Sequence, residues 1–559
     1  MLVIAAYLGL HAALVLSGVV PALVDGQLVN LSDPDSYARA LRLERYWRDG
    51  HLGDGIEKLI NAPYGMALHW TRVVDVVALA LTALVQPFAG TQSPVFLAGM
   101  AFGPFLHLAV LPLFLWAARP ILSPGARLAA CLIFLLQPVT TFNFVVGTLD
   151  HHGLMALLAL AIAIFTARAL SHDRLAWAAA AGGAGGLAVW LSPEGIVLLV
   201  PVLAAFGVLW LRGDRRAMNG ALAFSLTHLA IIAVAVTVEG QWPVMDLYKV
   251  SQIHAVLAAL MTGTAALAVI SQNRLVVCVA GALGLAGLWR LCPGLFADPQ
   301  ITLDPVVRQT MIDAVGVEGP LSLATPSGRQ TALLGLGIAV PAMAFSLWAL
   351  WRRPAPQQGR HVFALLSVAV LVAYVLLGKA RGLHYVTCFA LLPWAECLMA
   401  LAVRRKVLAV MAGCAQSVLG GALVLAAEPS GPVCPTAALA RHLGRAPVAG
   451  PVILADLFAG PELAYRTGYG VLGAPYDQNV AGITDTARLF GAHGLGPEFW
   501  RLMAQRQVRA VVLCRFDPPQ APPGSLAARL LAGDAPAGFT PVPLPPDLAA
   551  AFVLYGVQP

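Results

Sequence analysis

Long apolar runs, broken by short polar punctuation, occupy most of the first 427 positions of this 559-residue chain. Runs near the ~20 residues that cross a bilayer as a helix fall at about 2–23, 94–117, 126–146, 153–170, 175–192, 195–211, 219–238, 254–272, 275–295, 331–351, 361–378, 383–402 and 406–427. They make thirteen expected spans. The stretch 76–89 is apolar but short and is expected at the membrane interface. The first run has no Lys or Arg before it and is followed by a charged helix-like stretch, so it is expected as a retained span rather than a cleaved signal peptide. After about residue 428 the pattern changes. Short strand-like runs at 452–455, 508–514 and 551–555 alternate with helical stretches such as 497–507. The expected fold is an α-helical polytopic membrane protein, residues 1–427, carrying a small α/β domain over residues 428–559.

Composition sharpens this picture. The chain is 59% hydrophobic and 11% charged, with a mean hydropathy of +0.77. Soluble proteins carry about 25% charged residues, so a cytosolic enzyme, a disordered chain and a secreted disulfide scaffold are all excluded. The net charge of +7 does not point to nucleic acid, because the basic residues sit in pairs and triplets between apolar runs. With the N-terminus inside, the expected cytoplasmic loops carry Arg119 and Arg127, Arg168 and Arg174, Arg212, Arg215 and Arg216, Arg274, Arg352, Arg353 and Arg360, and Arg404, Arg405 and Lys406. Short outer connections hold few basic residues: Lys249, Lys379 and Arg381. The long outer regions are then 24–93, 296–330 and the tail. Six of the eight cysteines lie in or beside apolar runs. Cys434 and Cys514 fall in the tail, where an oxidising compartment permits a disulfide, though nothing in the sequence brings them together.

That threading gathers polar chemistry on one face. The first outer loop opens with Leu31-Ser32-Asp33-Pro34-Asp35-Ser36-Tyr37-Ala38-Arg39, and the short loop after the third span reads Gly147-Thr148-Leu149-Asp150-His151-His152-Gly153. Carboxylates with an imidazole suit Mg²⁺ or Mn²⁺, with positions left for water and a phosphate. The same residues also suit structural roles. Ser32 or Asp33 before Pro34 is a good cap for an amphipathic interfacial helix through Asp49, and Asp150 can cap the fourth span.

The combination resembles the catalytic subunit of oligosaccharyltransferase, a member of the C-type (GT-C) glycosyltransferases. That family carries Asp-Pro-x-x-x-x-Arg in its first outer loop, matched by Asp33-Pro34 through Arg39, then a Pro-x-Gly stretch leading to an aromatic, similar to Pro63-Tyr64-Gly65 through His69-Trp70. Its archaeal members have Asp-His-His in the second outer loop. The resemblance implies a divalent metal, Mg²⁺ or Mn²⁺, held by Asp33, Asp150 and His152, with His151 pointing elsewhere. An Arg-Phe-x-x-Tyr pattern resembles Arg381 through Tyr385 and implies donor-phosphate binding there. The family's thirteen spans, inside N-terminus and outer C-terminal domain agree with the threading. Two motifs depart. The Ser/Thr-Val/Ile-x-Glu motif survives only as Glu318 in Val315-Gly316-Val317-Glu318, and the WWDYG motif that reads the Asn-x-Ser/Thr sequon is replaced by Asp456-Leu457-Phe458-Ala459-Gly460.

The implied function is transfer of a sugar or glycan from a polyprenyl-phosphate- or diphosphate-linked donor to a protein, lipid or polysaccharide acceptor. Transfer takes place on the outer face of a bacterial or archaeal cell membrane. Asp35 or Glu318 would orient or deprotonate the acceptor. The missing WWDYG favours a monosaccharide transferase acting on a lipid or polysaccharide hydroxyl. A lipid-linked sugar transporter is disfavoured, since transporters carry mid-membrane charges and internal repeats. Glu396, inside the twelfth run, is expected to be a structural acid, either protonated or paired with His107 or His228. The segments 465–469 and 476–479 in the tail are expected to serve turns and surface, or to line an acceptor site.

Overall fold

The computed structural model describes residues 2–24, 27–28, 30–50, 55–172, 175–271, 273–297, 305–308, 319–352, 355–401, 415, 433–517, 519 and 521–558. Glu318 and the last expected span, 406–427, lie outside the described residues. The chain is a multi-pass membrane protein. Nine described helices are long and apolar enough to cross a bilayer, from Pro94–Ala117 to Ala380–Leu401. The pair Pro124–Leu136 and Pro138–Phe144, bent by 62°, makes a tenth if counted as one span. The bend has a local cause. Gln137 precedes a proline, leaves the helical region at ψ 111°, and ends the first segment. Tyr7–Val19 and Leu175–Leu191 are apolar but shorter helices at two further expected spans.

Four helices carry the argument: α1 (Pro34–Asp49), α2 (Arg72–Val85), α3 (His151–His172) and α4 (Leu383–Leu401). Small residues let the bundle close. In Leu175–Leu191, a Cβ on Gly182 would stand 2.0 Å from the Phe224 carbonyl oxygen, so this helix touches Arg216–Val238 backbone to side. One continuous apolar core runs from Tyr7 through Phe102, Phe134 and Leu160 to Leu391.

The C-terminal part forms a five-stranded mixed sheet from β1 (Val452–Leu454), β2 (Gly470–Val471), β3 (Val508–Cys514), β4 (Phe539–Pro541) and β5 (Phe552–Val557), in the order β2-β1-β3-β5-β4. The strands β1, β3 and β5 stand where the apolar runs place them. The first loop joins this sheet. Val471 N–H donates to Leu59 O at 2.8 Å, Ala62 N–H donates to Val471 O at 3.0 Å, and Ile60, Met66, Leu68 and Trp70 share a core with Ile453 and Leu463. Arg506 clamps the contact, with Nη1 on Asn61 Oδ1 at 2.8 Å and Nη2 on Asp485 Oδ2 at 2.6 Å.

Two expectations change here. Helix α1 does not lie on the surface with its charges in water: Arg39 and Arg42 are buried, because α2 lies against one side and the C-terminal part covers another. Glu396 pairs with Arg360 at 3.1 Å rather than with His107 or His228. An acid in an apolar helix takes the cation of its adjacent helix, and Arg360 sits on Ala355–Leu377 beside α4.

Cys434 and Cys514 form a disulfide across 80 residues, their Cα atoms 6.0 Å apart. Thiol labelling of the denatured, unreduced protein should therefore miss both, and reductant should expose both. Replacing Cys434 by Ser should cost about 2–4 kcal/mol of stability in the C-terminal part, measured by chemical denaturation. Full labelling of either thiol without reductant would contradict the pairing.

Candidate active site

Helix α1 begins at a proline, and Asp33 caps it. The Asp33 backbone is extended (φ −159°), and its Oδ1 accepts the Ser36 N–H at 2.7 Å. Ser32 donates to the other Asp33 oxygen. Of the two candidate caps, Ser32 and Asp33, it is Asp33 that takes the role. The helix start is then stitched to the 147–150 loop. Ser32 N–H donates to Gly147 O at 3.1 Å, and the buried Ser36 hydroxyl accepts the Leu149 N–H at 2.9 Å. Gly147 has φ 89°, and a side chain there would press within 3.2 Å of Asn30 O, Leu31 Cα and Ser32 N. A left-handed, closely approached position of this kind admits glycine readily and other residues poorly.

This junction sets Asp150 beside α3. Asp150 Oδ1 accepts the His151 N–H at 2.6 Å and lies 2.6 Å from His151 Nδ1; Oδ2 faces His152 Nε2 at 3.4 Å. Asp150, His151 and His152 offer ligand atoms all within 4.8 Å of one another. His151 therefore turns onto Asp150 and not away from it. Its backbone N–H and ring reach the same carboxylate oxygen from the first turn of α3. Two ligands held about 2.1 Å from one ion stand about 3.0–3.4 Å apart, so the Asp150 Oδ2 and His152 Nε2 pair fits a divalent metal. Asp33 lies in the adjoining stitched loop, outside that 4.8 Å group.

Three carboxyl groups share this corner. Burial, then the Asp150 charge, raises Asp33 above the usual carboxylate range. Burial, then Asp150 and Asp33, raises Asp35 further, while the Arg39 guanidinium and then the Tyr476 hydroxyl oppose the rise. Burial also acts to raise Asp150, but the His151 and His152 imidazoles and the Arg39 guanidinium outweigh it and hold it well below. Tyr476 comes from the C-terminal part, donates to Pro34 O at 3.1 Å and packs edge-on against Trp70. The 476–479 segment is thus drawn into the junction rather than left at the surface.

Arg381 and Tyr385 lie at the start of α4, beside α3. Arg381 pairs with Glu194 at 2.5 Å, its carbonyl lies 2.5 Å from His384 Nδ1, and the His384 ring centroid is 6.2 Å from that of His152. Tyr385 is fully buried close to Glu194. A small polar cavity next to the cluster is lined by Arg39, His69, Trp70, Thr71, His151 and Tyr248. Arg39 Nε, His69 Nδ1 and Thr71 Oγ1 find no hydrogen-bond partner among the described residues. Burial, with His151 and Arg39, lowers His69 to about 3, so it is a neutral imidazole at physiological pH.

Sequence reasoning passed over Asp75 and gave no role to Glu194, to His69 inside its motif or to His384 between Arg381 and Tyr385. Asp75 had a signal: it is an acid in an apolar run, the same feature that drew attention to Glu396.

No family model and no curated protein sequence matches the chain. Among solved structures, the archaeal oligosaccharyltransferase AglB from Archaeoglobus fulgidus, with an inhibitory peptide and a dolichol-phosphate, is similar at TM-score 0.70 and 15% identity. The alignment covers 92% of this chain and 69% of AglB. The same Archaeoglobus fulgidus enzyme with Zn and sulfate gives 0.65 at 14% identity, over 92% of this chain and 68% of that one. ArnT from Cupriavidus metallidurans in the apo state is a more distant match, TM-score 0.40 at 15% identity, over 99% of this chain and 98% of its own. The likeness to AglB shows the fold: a helical membrane protein with a small C-terminal sheet region.

The Ser36 stitch tests this geometry. Ser36→Ala leaves the buried Leu149 N–H without an acceptor and should cost about 1–3 kcal/mol in a detergent unfolding assay. An unchanged midpoint would mean that the loop is held otherwise.

Proposed function

We propose that the chain is an integral membrane glycosyltransferase that takes a sugar or glycan from a polyprenyl-phosphate- or diphosphate-linked donor, with a divalent metal, on the outer face of the membrane. The observation that carries this reading is the Asp150, His151 and His152 cluster set at the junction of α1, α3 and the C-terminal part. The AglB fold, solved with a dolichol-phosphate in one case and with Zn and sulfate in another, supports a phosphate and a metal at such a site.

In the reaction the bond between the anomeric carbon and the phosphate oxygen breaks, and the acceptor oxygen or nitrogen takes its place on carbon. A bound divalent ion supplies Lewis-acid neutralisation of the leaving phosphate. Asp150 Oδ2 and His152 Nε2 would hold it, with Asp33 reaching from the capped loop. Arg381, with its guanidinium fixed by Glu194, adds positive charge beside His384 for the donor phosphate, and Tyr385 braces that pair from within the bundle. Asp35 takes the acceptor proton. Its burial beside Asp150 and Asp33 raises its proton affinity, which makes it a stronger base, and Tyr476 fixes its carboxylate. Glu318 is a second candidate for acceptor binding. The unpartnered atoms of Arg39, His69 and Thr71, beside the Trp70 indole, suit the hydroxyls of the transferred sugar.

A hydroxyl acceptor on a lipid or polysaccharide is the second reading. It is favoured by Asp456-Leu457-Phe458-Ala459-Gly460 standing in place of WWDYG. Residues 428–559 are assigned to the outer face, since the basic loops mark the opposite side.

Purified protein with a polyprenyl-phosphate glycoside should transfer the sugar, lose activity in EDTA and regain it with Mg²⁺ or Mn²⁺. Asp150→Ala and Asp33→Ala should fall to background while remaining folded. His152→Ala should raise the metal requirement about 10-fold or more. Full turnover in EDTA would rule out the metal. A periplasm-active reporter fused after residue 558 should be active; a cytoplasm-only reporter active there would reverse the sidedness of every site residue.

A further inference from the structure

Asp75 lies outside the ligand cluster, on α2, yet it is fully buried and each of its oxygens faces a guanidinium. Arg39 Nη1 stands 3.3 Å from Oδ1 and Arg42 Nη2 stands 2.7 Å from Oδ2. The two arginines are one turn apart on α1, so both reach the same face. Arg42 is committed elsewhere as well, donating from Nε to Tyr46 at 2.7 Å and from Nη1 to Trp70 O at 3.2 Å. Arg39 is not. Its second amino nitrogen, Nη2, lies 3.8 Å from Asp150 Oδ1, and its guanidinium sits 4.3 Å from the Trp70 ring centroid. Arg39 is therefore shared between two carboxylates and stands closer to Asp75.

We propose that Asp75 is a positioning residue for the metal centre. By holding Arg39 it prevents this arginine from closing on Asp150, which keeps Asp150 Oδ2 available to an ion alongside His152. The proposal rests on the metal-assisted reading above. A buried cation and a metal ion compete for the same carboxylate, and in a low-dielectric interior that competition is strong. With Asp75 in place, Arg39 is drawn toward α2 and touches only the Oδ1 side of Asp150, which His151 already occupies. Without the Asp75 carboxylate, Arg39 turns its full charge to Asp150, and the ion loses its ligand.

The test uses Mn²⁺ alone and needs no donor or acceptor. Mn²⁺ is titrated into the full-length chain in detergent and free Mn²⁺ is followed by electron paramagnetic resonance. Asp75→Asn should weaken binding about 10-fold or more, the usual scale for a residue that orients a ligand. Arg39→Gln leaves Asp75 paired with Arg42, so it should fold, and it should bind Mn²⁺ as tightly as the wild type or more tightly. The double variant Arg39→Gln with Asp75→Asn should recover most of the loss. A simple scaffolding pair gives the opposite signs: Arg39→Gln weakening Mn²⁺ as much as Asp75→Asn, or no recovery in the double variant, would overturn the proposal. So would wild-type affinity in Asp75→Asn. If the wild type itself binds no Mn²⁺, the metal-assisted reading fails, and this inference with it.

Discussion

A buried arginine must have anions, and Arg39 has two. It joins Asp75 on α2 to Asp150 before α3 from its own place on α1, with about 1% of its side chain exposed. Leaving any member of such a group unpaired in the interior is costly, on the order of 3–5 kcal/mol for a broken buried pair. Three segments far apart in sequence are therefore obliged to meet at one point. The remaining contacts of the junction follow from that meeting. The Asp33 cap, the Ser36 acceptor and the tight Gly147 turn set the spacing, and Tyr476 and Arg506 close it from the C-terminal part.

The electrostatic outcome is an asymmetric carboxylate. Asp150 is held ionised among cations and imidazole hydrogen bonds, while Asp33 and Asp35, in the same corner, are pushed toward protonation by burial and by Asp150 itself. Neighbouring groups of one chemical type thus differ in proton affinity: Asp150 retains its charge, and Asp33 and Asp35 bind a proton more readily than a free carboxylate. The arrangement costs stability locally, because several acids are gathered in a dry site.

Much of the fold was legible in the chain. The bilayer demands about 20 apolar residues per helix, so the spans announce themselves, and β1, β3 and β5 stand out as short apolar runs in a polar tail. The Asp33 helix cap and the run Asp150-His151-His152 were legible because their chemistry is local. What could not be read was partnership. Arg39 and Asp75 are 36 positions apart, and Arg360 and Glu396 are 36 apart on neighbouring helices, so periodicity says nothing of either pair. Helix α1 looked amphipathic because its arginines were assumed to face water; only the cover provided by the C-terminal part turns them into a buried face. His151 likewise could not be oriented from its position, since the choice between its neighbour and solvent is made by the ring rotamer.

The central claim is that an ion sits between Asp150 Oδ2 and His152 Nε2. An experimental structure of the protein soaked in Mn²⁺, with an anomalous map at the manganese edge, tests it most directly. The account predicts a single peak about 2.0–2.3 Å from both atoms, with Asp33 within reach and Arg39 still on Asp75. A peak elsewhere in the protein, or no peak with the Asp150, His151 and His152 side chains well ordered, would contradict it.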